Sequence, residues 1–216
     1  MLEIQNIAEY ISNISPIILS LGSIIGVLLL NKINNNNKIL IVYIFLMFTL
    51  DRIAYYLYLN QGNNLILYPI TTLIDLVFIY SYLKNKSIII KFLFAIFICF
   101  TIYEFFSRNF KDYKELQVFS LTLNPIFLLI TYIIQLIKKL INDELDFKNP
   151  VLYILPFYLT ISALIYLPLN FLINYKDEAV YFIWITNTIN ISVFYFVIVL
   201  HLWKSGKTQK LLSFGF

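Results

Sequence analysis

The chain has 216 residues, of which 60% are hydrophobic, 18% aromatic and only 13% charged, with a formal net charge of +4. Water-facing domains carry roughly 25% charged residues, so this composition cannot clothe a soluble surface. It excludes a secreted disulfide scaffold, a disordered chain and a nucleic-acid-binding domain, each of which needs a polar surface or a cysteine framework. It predicts an all-α membrane protein whose first partner is the lipid bilayer.

In chain order, the segment Met1–Tyr10 carries Glu3 and Glu9 but no Lys or Arg. That is the reverse of a signal peptide's basic start, so the first apolar run is expected to be retained. Leu2, Ile4, Ile7, Ile11 and Ile14 fall near helical spacing, and extend helix 1 or lie along the outer interface. A helix needs about 20 apolar residues to cross the hydrocarbon. Polar breaks divide the chain into seven such runs, 12–30, 39–59, 65–83, 88–106, 118–137, 150–173 and 179–203, which predicts a single seven-transmembrane-helix bundle over residues 1–216. The breaks carry loop chemistry: the Asn-rich run from Asn31 to Lys38, the turn Gln61-Gly62-Asn63-Asn64, and the charged stretch from Lys138 to Pro150.

Positive charge predicts the orientation, because Lys and Arg gather in cytoplasmic loops. One set of alternate loops holds Lys32, Lys38, Lys84, Lys86, Lys91, Lys138, Lys139, Lys148, Lys204, Lys207 and Lys210; the other holds only Arg108, Lys111, Lys114 and Lys176. The expectation is a multi-pass cell-membrane protein, N-out/C-in. The loops are too short to hold an effector domain, so a signal delivered inward requires a cytoplasmic signalling protein as partner.

Ionisable side chains at membrane depth are costly and usually face a bundle interior or a hydrated cavity. Here they are Asp51 and Arg52 in helix 2, Asp75 in helix 3, Glu104 in helix 4 and His201 in helix 7. At about 1.5 Å per residue, Asp51, Arg52 and Asp75 lie about 10–15 Å below the outer ends of their helices, level with Asn187 and Asn190 and slightly below Asn124. Helix 3 aligns Thr71, Thr72, Asp75 and Tyr82; helix 5 offers Asn124, Thr131 and Gln135; helix 6 spaces Tyr158, Ser162, Tyr166 and Asn170 at i, i+4. Asp51, Arg52, Asp75, Asn124, Ser162, Tyr166, Asn187 and Asn190 are therefore the candidate ligand pocket or buried polar network. Asp51 and Arg52 are consecutive and diverge by about 100° around the helix, so Arg52 is expected to pair with Asp75. Such a pair reads either as an ionic lock between helices 2 and 3 or as a ligand or proton site. Glu104 and Arg108, one turn apart, read as peripheral groups that snorkel to the outer edge.

Prolines mark helices 5 and 6, with Asn124-Pro125, Pro156 and Pro168, as the irregular ones. Cys99 reads as an inert buried thiol, and His201, beside Trp203 and Lys204, as interfacial. With no second His and a single Cys, no metal set exists, and no cofactor is expected. No nucleophile elbow, zinc-protease motif or phosphate-cradling loop is present, and helix 7 has no Lys for a retinal linkage between Ala179 and Trp203. An intramembrane hydrolase built on Asp51 and Asp75 is the remaining enzymatic reading. Phe48, Arg52, Tyr56 and Leu57 align without a gap to Tyr158, Ser162, Tyr166 and Leu167, and Thr72-Leu73-Ile74-Asp75 echoes Thr188-Ile189-Asn190. That offset of four helices suits a three-plus-one-plus-three repeat.

The run from Pro156-Phe157-Tyr158 to Ile165-Tyr166, followed by Trp184-Ile185-Thr186-Asn187 and an apolar helix ending at Lys204, resembles a pattern in small uncharacterised seven-helix bacterial integral membrane proteins. It covers the last two helices and implies the fold without an activity. Size and repeat are also similar to SWEET-type sugar transporters, but Gln117 and Gln135 are not preceded by the proline of that family's proline-glutamine pair. The expected function is that of a sensor, receptor-like or accessory subunit that binds a small molecule in an outward-facing polar pocket. A small-solute transporter is the alternative.

Overall fold

A computed structural model describes residues 7, 10–61, 64, 66–84, 87–107, 118–142, 149–172 and 178–213. Among the described residues the chain is helical, with no strand. Seven helices follow one another: α1 (Ile14–Leu29), α2 (Asn35–Gln61), α3 (Leu67–Leu83), α4 (Ile88–Ser107), α5 (Ser120–Ile141), α6 (Pro150–Leu172) and α7 (Glu178–Ser213). Six helices are long and apolar enough to cross a membrane, and α3 is a shorter apolar helix of 17 residues.

The short helix is covered along most of its length. It packs against α2, α4 and α5, and none of its residues from Leu67 to Tyr80 is exposed. With α2 and α5 it belongs to a ring that α6 and α7 complete, in which α5 packs on α6, α6 on α7 and α7 on α2, while α1 packs on α2 and α7. Helix α4 touches only α3 and α5. It buries a single stripe of Ile90, Thr101 and Glu104 and exposes Ile88, Ile89, Phe92, Ile96 and Phe106. Similar exposed apolar residues line the outside of α1, α6 and α7, among them Ile17, Ile24, Phe157, Leu164 and Phe196. An outer face of that kind is stable in hydrocarbon rather than water.

Helix starts and close approaches follow local chemistry. Asn149 is the N-cap of α6: its Oδ1 accepts the Val151 N–H at 3.1 Å, across Pro150 at the first helical position. α5 runs through Pro125, and α6 through Pro156 and Pro168, as continuous helical segments. In α1, Gly22 faces Val199 of α7 and Ile44 of α2, and Gly26 faces Ile41. Small residues let the backbones approach without a hydrophobic driving force between helices.

The bundle thus has two distinguishable ends. At the α1–α2 end, His201 Nε2 lies 3.2 Å from Asn37 Oδ1, Asn149 Nδ2 donates to the Tyr82 hydroxyl at 2.6 Å, and the Gln135 amide donates to the Leu83 carbonyl. At the α2–α3 end, Glu104 and the α5 start are joined, as are Asn187 and Tyr166.

Candidate functional site

Because α2, α4 and α5 cover α3 and leave no residue from Leu67 to Tyr80 exposed, its one carboxylate lies inside the bundle. Asp75 Oδ1 accepts the Tyr43 hydroxyl of α2 at 2.7 Å, and Oδ2 accepts the Tyr158 hydroxyl of α6 at 2.9 Å. The Tyr158 ring stacks on Phe194 of α7 at 4.1 Å and 5°, which holds its hydroxyl in place. Asn190 on α7 donates its Nδ2 to the Tyr158 carbonyl and to Ser162 Oγ, both at 3.1 Å. Near the α7 start, Asn187 Nδ2 donates to the Tyr166 hydroxyl at 3.2 Å. One polar network, centred on Asp75, therefore joins α2, α3, α6 and α7.

A second network flanks it. Asn124, fully buried on α5, donates to Thr72 Oγ1 at 3.2 Å and to Thr101 Oγ1 at 3.0 Å. Thr72 in turn donates to the Ser120 carbonyl at 3.3 Å. Both Asn124 amide hydrogens are used, while its Oδ1 has no partner.

Asp75, Asn124, Ser162, Tyr166, Asn187 and Asn190 are thus gathered at the α3–α5–α6–α7 interior. Arg52 is not. Its guanidinium bonds the neighbouring Asp51, with Nε 3.1 Å from Oδ2, and its side chain is 48% exposed on the outside of α2. The expected Arg52–Asp75 pair does not form because the long side chain reaches around its own helix. The guanidinium also lies 5.8 Å from the Phe48 and Tyr55 ring centroids, one turn either side. Asp51 and Asp75 consequently hold different partners and form no carboxylate pair.

Glu104 also differs from the expectation of a snorkelling peripheral group. It is 2% exposed, and its two oxygens accept the N–H groups of Phe119 at 2.6 Å and Ser120 at 2.9 Å. These are orphan donors at the start of α5, and a carboxylate there also complements the helix dipole. Arg108 lies outside the described residues. Cys99, expected to be buried, is exposed on α4. Tyr43 and Thr101 carry essential bonds that the sequence did not single out. Tyr43 is one of 17 tyrosines, and only its position on the face of α2 turned toward α3 distinguishes it.

Three spaces are stacked along the interior. At the α2–α3 end a chamber of about 180 Å³ lies between α1, α2, α3 and α7, with Ser15, Asp51, Tyr68, Thr71 and Tyr195 on its walls. Deeper, a polar space of about 20 Å³ lies between α3, α5 and α6 beside Asp75, Asn124 and Ser162. Thr71 lines both. Toward the α1–α2 end a space of about 10 Å³ is walled by apolar and aromatic groups including Tyr43, Phe78, Phe194 and Ile198. Among the described residues no group of three His, Cys, Asp or Glu side chains is placed to hold a metal ion. Comparison of the chain with family models, curated proteins and solved structures returns no match.

Proposed function

We propose that this chain crosses a bacterial inner membrane seven times, N-out/C-in, and acts as a sensor or receptor-like accessory subunit. A small molecule enters the chamber at the α2–α3 end, and the resulting helix shift is passed to a cytoplasmic protein at the other end. The reading rests on the asymmetry of the interior. At one end a chamber of about 180 Å³ carries Ser15, Asp51 and Thr71 among mostly apolar walls, whereas at the other end a small space is walled by aromatic and aliphatic side chains and the helices are tied by His201–Asn37, Asn149–Tyr82 and Gln135–Leu83. A receptor needs only a shift of packed helices, while a transporter must open that sealed half.

The chamber is large enough for a ligand of a few heavy atoms, since a cavity of roughly 150 Å³ takes benzene. Asp51 supplies its one charged wall; Arg52 bonds Oδ2, leaving Oδ1 for a ligand donor. The transporter remains the second reading, favoured by Thr71, which borders both the chamber and the deeper polar space.

Ala54 borders the chamber, and Ala54→Phe would fill much of it. The test is a small-molecule panel scored by thermal stabilisation of the purified protein. The expected result is that a stabilising compound acts on the parent and not on Ala54→Phe. Proteoliposomes containing the chain alone should then show no uptake of that compound; uptake would establish the transporter and overturn the sensor. A compound that stabilises both proteins equally would remove the chamber from either reading.

A further inference from the structure

The small polar space beside Asp75 has the donor set of a cation site. We propose that it binds a dehydrated monovalent cation of sodium size between α3, α5 and α6. Its volume of about 20 Å³ admits one water-sized particle, which needs roughly 10–15 Å³. The side chains around it offer oxygen: the Asp75 carboxylate, the Thr71, Thr72 and Ser162 hydroxyls, and the Asn124 amide. Oxygen donors of this kind suit hard cations.

Two independent observations point to a missing ligand. Asn124 is 0% exposed, its amide hydrogens are committed to Thr72 and Thr101, and its Oδ1 has no partner. A buried acceptor left in that state costs about 1–3 kcal/mol, so a positive neighbour would relieve it. The next residue is Pro125, which has no N–H to bond the Leu121 carbonyl one turn earlier; both residues border the same space. Proline-freed carbonyls of spanning helices are usable as cation ligands where they line a cavity.

Charge selects the valence. Asp75 is the only carboxylate on the walls, and no Lys, Arg or His stands beside it. The basic side chain nearest in expectation, Arg52, is engaged with Asp51 on the outside. Each Asp75 oxygen accepts one phenol hydrogen and keeps a further lone pair. One negative charge in an apolar interior is balanced by one positive charge, whereas calcium and magnesium sites recruit more carboxylates or retain water. Thr71 is on the wall of both this space and the chamber.

This site stands without the small-molecule reading: sodium binding with no compound response would support the one and not the other. The experiment compares unfolding midpoints of the purified chain in NaCl, KCl and choline chloride at equal ionic strength. Sodium is expected to raise the midpoint saturably, by about 3 °C or more, with little effect of choline. Asp75→Asn and Asn124→Ala should flatten that sodium dependence, while Cys99→Ala, on the exposed face of α4, should retain it. Direct ²²Na⁺ binding to the parent protein gives a readout that needs no variant to fold. Identical midpoints in the three salts together with no retained ²²Na⁺ would overturn the site and leave a water there; so would parent-like sodium dependence in both variants.

Discussion

Asp75 shows what a single residue can announce in a sequence and what it conceals. A carboxylate within the apolar run of α3 marks an interior position, because turning it toward lipid is costly. Its partners were not legible, since Arg52 was the obvious counter-charge and Tyr43 counted only as an aromatic residue. The two phenols now carry its hydrogen bonds, at 2.7 and 2.9 Å. Bonds to a charged acceptor contribute about 1.5–3 kcal/mol each. Tyr43→Phe and Tyr158→Phe are each expected to destabilise the fold by about that amount. Because both act on one carboxylate, the double variant should depart from additivity by about 0.5–3 kcal/mol. Unfolding free energies of the four proteins check this, and strict additivity would mean that Asp75 does not couple α2 to α6. Glu104 carries the same lesson in reverse. Its burial depends on where the start of α5 comes to lie, and local sequence does not encode that.

At the level of elements, the apolar runs located the first six helices to within four residues at either end, since a span of given length and hydropathy has few alternatives, whereas α7 continues ten residues past the expected 203 to Ser213. Which face of each helix is buried was less legible, because lipid-facing and core-facing residues are both Leu, Ile and Phe. Cys99 fell on the wrong side for that reason, and the echo between helices 2 and 6 does not survive in three dimensions. Tyr56 is 65% exposed and Arg52 faces outward, whereas their matches Tyr166 and Ser162 turn inward. Packing of α1 is decided by backbone proximity instead. A Cβ at Gly22 would stand 2.6 Å from Val199 Cγ2 and 2.9 Å from Ile44 Cγ2, both on branched side chains with little freedom. At Gly206 the corresponding contacts are the Leu29 methyls, which can swing away. Gly22→Val should therefore lower stability by about 1–3 kcal/mol through overpacking, and Gly206→Val by clearly less. Thermal unfolding in one detergent ranks the two; equal losses would show that α1 is not wedged between α2 and α7.

At the scale of the whole molecule, the bundle's two ends differ in the same sense as its charge. Lys32, Lys38 and Lys84 cluster at the α1–α2 end, with Lys138, Lys139, Lys204 and Lys207 on helices that finish there. The Asp75 network and the chamber lie toward the other end, where described basic residues are few. Lys and Arg near helix ends set orientation because they resist translocation, so the chamber should open to the outside. This is a statement about insertion that packing alone cannot make, and it is checked by labelling. In a Cys99→Ala background, Asn64→Cys at the α2–α3 turn should react with a membrane-impermeant maleimide in intact cells. Asn34→Cys, at the α1–α2 turn, should react only after permeabilisation. Asn34 caps the start of α2 through the Asn37 N–H and Asn64 borders the chamber, so the unfolding midpoints of both cysteine variants are matched to the parent before the labelling is read. The opposite pattern would place the chamber on the cytoplasmic side, and the molecule would then read an internal solute; labelling of both sites in intact cells would mean that α2 does not cross.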